Sequence, residues 1–104
     1  MTIQINTDNN ILGNEKLLAY VNATIANKLA RGSGHITRIE VHLSDENGSK
    51  TGQNDKRCML EARLRNRAPI AVVIRENTIE KAVNGALDKL KTSMETIYSQ
   101  LKNH

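Results

Sequence analysis

KRCMLEARLRNRAPIAVVIR, residues 56–75, reads as two strands joined by a tight connection. Cys58, Leu60, Ala62 and Leu64 alternate with Arg57, Met59, Glu61, Arg63 and Arg65, and a period of two turns one set toward a core and the other away from it. Residues 66–68 supply a turn. Pro69, with no N–H to lose, is acceptable at the first position of the next strand, whose inward set is Ile70, Val72 and Ile74. Downstream the period changes. Ile79, Ala82, Val83, Ala86, Leu87, Leu90, Met94, Ile97, Tyr98 and Leu101 recur at helical spacing, with Thr78 placed to cap the first turn and Glu80 suited to its positive end. A helix reaching Leu101 would be about 36 Å long. Strands of five to seven residues cannot cover that length, so its last turns should overhang the sheet.

Upstream, ITRIEVHLSDE puts Ile39, Val41 and Leu43 on one face and Arg38, Glu40 and His42 on the other, predicting a strand from Ile36 to Ser44. Between the two strands lies DENGSKTGQND, residues 45–55, polar throughout and rich in turn formers, which reads as an exposed, mobile loop. It is no calcium loop: counted from Asp45, lysines (Lys50, Lys56) fall where the glycine and the closing glutamate should be. Leu17, Leu18, Val21, Ile25 and Leu29 predict a helix from Asn14 to Arg31, capped by Asn14 and stopped by Gly32. Ile3 and Ile5 mark a short opening strand from Thr2 to Asn6. A helix between the first two strands makes them parallel if adjacent, and the later short connections suit antiparallel pairing. The expected fold is α+β, βαβββα, a four-stranded mixed sheet with two helices packed on one face.

At 104 residues the chain fits one domain, 1–104, large enough to fold without disulfides or metal. With no Phe, no Trp and two Tyr, the core must be aliphatic, and single-stranded nucleic-acid platforms built on stacked aromatics are not expected, because there are almost no rings to stack on. Short apolar runs, a polar start and the single Cys58 predict a soluble cytoplasmic protein with no membrane association. The net charge of +4 is unevenly placed. Residues 56–67 hold five basic side chains (Lys56, Arg57, Arg63, Arg65, Arg67) against Glu61, and the rest of the chain balances. Such a concentration suits a polyanionic partner, and it would equally protect an edge strand from aggregation.

Catalysis finds little support. His35, His42 and His104 lack partners at spacings that make a triad or a metal site, and Cys58 alternates onto the apolar face, where burial raises a thiol's pKa. No phosphate-binding glycine loop is present. The expectation is a protein that is not an enzyme and has no metal, cofactor or small-molecule substrate. What remains is arginine. Arg57, Arg63 and Arg65, with Arg38 and Arg75 from neighbouring strands, could hold RNA phosphates bidentately on the open face. Lys28, Arg31, Lys89 and Lys91 form a second set on the helix side, a pattern that also serves ordinary solubility.

The opening strand, NEKLLAYV, ITRIEVHLS, DKRCMLEAR and above all AVNGALDKL at 82–90 together resemble the ribosome hibernation-promoting and ribosome-associated inhibitor family, also known as sigma-factor modulation proteins, in its short form. Ala82, Val83, Asp88, Lys89 and Leu90 match its helix-two pattern. The resemblance implies a βαβββα protein bound to the small ribosomal subunit, in the channel for messenger RNA and anticodon arms, where it blocks translation and preserves idle ribosomes in stationary phase or stress. It also implies contacts to ribosomal RNA from basic side chains on the helices and nearby loops. Lys89 carries over directly, Lys28 and Arg31 approximately. Thr24, Thr92, Thr96 and Tyr98 stand where the family usually carries basic residues, and the arginines of the third strand could compensate. The chain is expected to act as a monomer and, lacking a long extension after His104, not to pair ribosomes by itself. Two other readings fit the residues: a regulatory adaptor whose arginines meet an acidic protein surface, as in a stress or sigma-factor partner, and a nonspecific binder of double-stranded RNA.

Overall fold

The computed structural model describes residues 1–8, 11, 15–31, 33–46 and 55–102. In chain order the elements are β1 (Thr2–Thr7), α1 (Glu15–Lys28), β2 (Ile36–Asp45), β3 (Lys56–Leu64), β4 (Ile70–Glu76) and α2 (Ile79–Lys102), with one 3-10 turn at Ser33–His35 leading into β2. The strands lie in the order β1-β2-β3-β4, β1 parallel to β2 and the other neighbours antiparallel. This is the expected α+β, βαβββα architecture, with both helices on one face of a mixed sheet. The expected cap Asn14, the stop Gly32, residues 47–54 of the connection between β2 and β3, the side chain of Leu101, and His104 lie outside the described residues.

The alternating sets point as their period requires. Ile39, Val41 and Leu43 of β2 and Cys58, Leu60, Ala62 and Leu64 of β3 are buried beneath Ala82, Val83, Ala86, Leu87, Leu90 and Met94 of α2 and Val21 and Ile25 of α1. Ile3, Ile5, Leu17, Ile70, Ile74, Ile79 and Tyr98 pack around this aliphatic centre. Thr78 caps α2 as its position suggested, its Oγ1 accepting the Lys81 N–H at 3.1 Å. Gly85 lets α2 approach β4 closely: a Cβ there would stand 3.2 Å from Ile74 Cγ2.

Ile36 departs from strict alternation. Counting back from Ile39 would turn it toward solvent, yet it is 2% exposed. The register between β2 and β3 shifts between Ile36 and Arg38, and the extra residue, Thr37, gives its hydroxyl to the Arg63 carbonyl at 3.2 Å. A bulge bends one strand and turns the side chains on either side of it, so Ile36 and Ile39 both reach the core.

Candidate nucleic-acid interface

The sheet face opposite the helices carries the arginines in rows fixed by register. Arg38 lies across from Arg63, Glu40 from Glu61, His42 from Met59, and Arg57 from Arg75. Carboxylates answer most of this charge. Arg38 Nε lies 3.1 Å from Glu40 and its Nη2 also donates to Gln4; Arg63 Nε stands 3.5 Å from Glu61. Glu46 is shared by Arg75 at 2.9 Å and Arg57 at 3.9 Å. These pairs are exposed or half-exposed and worth little to stability, but they lower the positive potential of the open face.

Lys56 belongs to neither cationic surface. It has the parity of Cys58 and so faces the helix side, where its Nζ lies 2.9 Å from Asp55 and 3.2 Å from Asp45, both of them buried. The hydrogen bond to Asp55, opposed by partial desolvation and helped by Asp45, raises the Lys56 ammonium above its ordinary range. Beside it the Glu46 N–H donates to the Asp55 carbonyl at 2.9 Å, and Asp8 Oδ2 accepts the Asp45 N–H at 3.3 Å. Lys56 thus clamps the root of the β2–β3 connection.

At the far end of β3 the pattern reverses. Arg65 and Arg67, both exposed, flank Asn66, whose φ of 61° places it in the left-handed region that Asn tolerates better than most residues. Arg65 therefore lies in the turn beyond the strand and not on the open face with Arg57 and Arg63. Its N–H donates to the His35 carbonyl at 2.9 Å, which fixes this turn beside the one that follows α1. Neither Arg65 nor Arg67 meets a carboxylate among the described residues.

On the helix side, Lys28, Arg31 and Lys91 line a single groove of about 770 Å³ between the end of α1 and the later turns of α2. Lys28 is engaged, its Nζ 3.1 Å from Asp88; Arg31 and Lys91 meet no carboxylate among the described residues. Lys89 is exposed but lies elsewhere. One turn beyond Gly85, which abuts Ile74, it sits on the β4 flank of α2, away from α1. The Thr92 and Thr96 hydroxyls donate to carbonyls four residues back, at 3.1 and 3.0 Å, and add no cation to α2. The groove also holds what the sequence did not announce: His35 stacks on Tyr98, ring centroids 4.3 Å apart and planes 28° from parallel. The one signal that could have found it is the expected overhang of α2, which carries Tyr98 out to the level of the turn before β2.

The nine candidates therefore separate by place. Arg31, Arg65, Arg67 and Lys91, with Lys28 and Arg63 nearby, gather at the end of the sheet where β2 begins and β3 finishes. Lys56 and Arg57 are held by carboxylates at the other end, and Lys89 stands on a separate flank. Cys58 is fully buried, and burial, slightly opposed by Arg57, pushes its thiol up to about 12. Among the described residues no group of His, Cys, Asp and Glu is placed to hold a metal ion, and no helix is long and apolar enough to cross a membrane.

Solved structures share this fold. The N-terminal domain of protein Y from Thermus thermophilus superposes with a TM-score of 0.72 at 20% identity, over 93% of this chain and 99% of that one. A ribosomal subunit interface protein from Coxiella burnetii gives 0.73 at 17% identity, over 95% of this chain and 99% of that one. At such identities the likeness speaks for the fold. No curated protein matches the sequence. The match that decides the matter covers residues 3–102, from the first inward isoleucine of β1 to the last residue of α2, so that the chain belongs to the family described as Sigma 54 modulation protein / S30EA ribosomal protein.

Proposed function

We propose that the protein binds the small ribosomal subunit through phosphates of its RNA and holds translation off while bound, as a ribosome hibernation factor acting in the cytoplasm under stress. The observation that carries this reading is family membership across residues 3–102. The charge distribution supports it: Arg31, Arg65, Arg67 and Lys91 are exposed at one end of the molecule with no carboxylate partner among the described residues. Guanidinium and ammonium groups so placed can replace counterions along a folded RNA backbone and follow its shape more than its sequence. In this reading the protein acts as a monomeric, stoichiometric ligand, with neither turnover nor a cofactor.

Cosedimentation with purified small subunits at moderate salt tests it. The wild type should pellet with the subunits and inhibit translation in a reconstituted system in proportion to occupancy. Failure to pellet at any salt concentration, with retention on an acidic protein partner instead, would favour the adaptor reading.

A further inference from the structure

We propose that the groove between the end of α1 and the last turns of α2 is a site for one nucleotide unit, with a flat base on the His35–Tyr98 stack and its phosphate on Arg31 and Lys91. The inference deepens the RNA-binding reading and rests on it for the source of the nucleotide, though not for the chemistry of the site.

Three properties of the groove converge. Its volume, about 770 Å³, lies within the range of about 300–1,000 Å³ usual for small-molecule sites. Its floor is apolar, formed by buried Leu29 and Met94, and continues into Tyr98, half-buried under the imidazole of His35, which is itself exposed. A base added to the imidazole would extend a stack already formed, and that interaction accepts any base because each has a π face. The third property is charge. Lys28 is committed to Asp88, which leaves Arg31 and Lys91 against Glu95 as the groove's uncommitted charges. A guanidinium fork and an ammonium lining one groove are groups that a phosphate can pair with.

The site is also held in advance. The His35 carbonyl accepts the Arg65 N–H at 2.9 Å, and Lys28–Asp88 ties α1 to α2 at the groove. Little ordering remains to be done on binding. An apolar partner helix would have to bury Arg31 and Lys91 without compensation, whereas a nucleotide uses the apolar floor, the rings and the cations together.

The test uses a Tyr20→Phe background, in which Tyr98 is the one tyrosine of a chain without tryptophan, so its fluorescence reports on the groove. Adenosine monophosphate should quench it saturably, and adenosine without the phosphate should bind about tenfold more weakly or worse. His35→Ala and Lys91→Glu should each weaken the nucleotide by about tenfold while leaving the circular dichroism of the folded protein unchanged. A short oligoadenylate that binds more tightly than the mononucleotide, or alone, identifies the source as an RNA strand; equal affinity identifies a free nucleotide. Absence of saturable quenching by either probe, or affinity unchanged in both variants, overturns the proposal. If the wild type pellets with small subunits and neither probe quenches, the groove site falls and the ribosome reading stands. If the nucleotide saturates and the protein stays in the supernatant, the reverse holds.

Discussion

Asn66 sets where two of the unpaired arginines point. With a φ of 61° it is the one described non-glycine residue in the left-handed region, and Arg65 and Arg67 leave it in opposite directions along the chain. Asn66→Ala should cost about 1 kcal/mol in denaturant unfolding and Asn66→Gly much less, because a Cβ without a local hydrogen-bonding group has the most to lose there. Cys58 offers a different check. Its thiol is raised from an ordinary 9.0 to about 12 by burial, so the folded state holds the proton more tightly than the unfolded chain. Stability from this group is whole below pH 9, and falls as the pH climbs toward 12. Thiol reagents at neutral pH should label Cys58 at the rate of global unfolding; labelling within seconds in the native protein would contradict its burial. The placement of Cys58 was legible because alternation with Leu60 and Ala62 is local. The stacking of His35 on Tyr98 was not: it joins the start of β2 to the end of α2, and no periodicity encodes the distance between them.

The elements themselves were readable almost throughout, since α2 and the strands each repeat one period over their whole length. Charge placement was less so, and strand geometry explains why. Residues 56–67 form one basic stretch in the sequence, but along the nine residues of β3 the eight steps from Lys56 to Leu64, at about 3.3 Å each, separate them by roughly 26 Å. Carboxylates of β2 and of the β2–β3 connection then meet Lys56 and Arg57 at one end, whereas Arg65 and Arg67 past the other end meet none among the described residues. The bulge at Thr37 was equally hidden, because alternation alone gives no reason to insert a residue. Lys56→Met should lower the thermal midpoint by several degrees, as it strips two buried carboxylates of their ammonium partner. Adding Asp45→Asn and Asp55→Asn should recover part of the stability, the signature of a coupled cluster in a calorimetric cycle. Raising the pH should weaken the same clamp only once Lys56 deprotonates, above its ordinary 10.5, since its folded-state pKa is raised.

Across the whole molecule the balance of charge is uneven, with Arg31, Arg65, Arg67 and Lys91 meeting no carboxylate among the described residues at one end and Lys56, Arg57 and Arg75 all held in acid-base pairs at the other. Arg65→Glu with Lys91→Glu should therefore weaken binding to small subunits far more than Arg57→Glu with Arg75→Glu. Every phosphate that a variant no longer neutralises should flatten the log–log salt dependence by roughly 0.7 to 0.9. Lys89→Glu, on its separate flank, should have a smaller effect than Lys91→Glu. Filter binding across a salt series measures all three, and equal weakening by the two arginine-containing pairs would mean that the partner covers both ends. The closed root of the β2–β3 connection has a practical corollary. Because Glu46 N–H and Asp55 carbonyl seal it beside the Lys56 clamp, that end of the molecule is the place for a peptide handle that leaves the opposite end clear. Fixed to a sensor chip by such a handle, every molecule would present its arginine turn and ring-lined groove outward, the orientation in which a ribosomal subunit or a nucleotide could be offered to it.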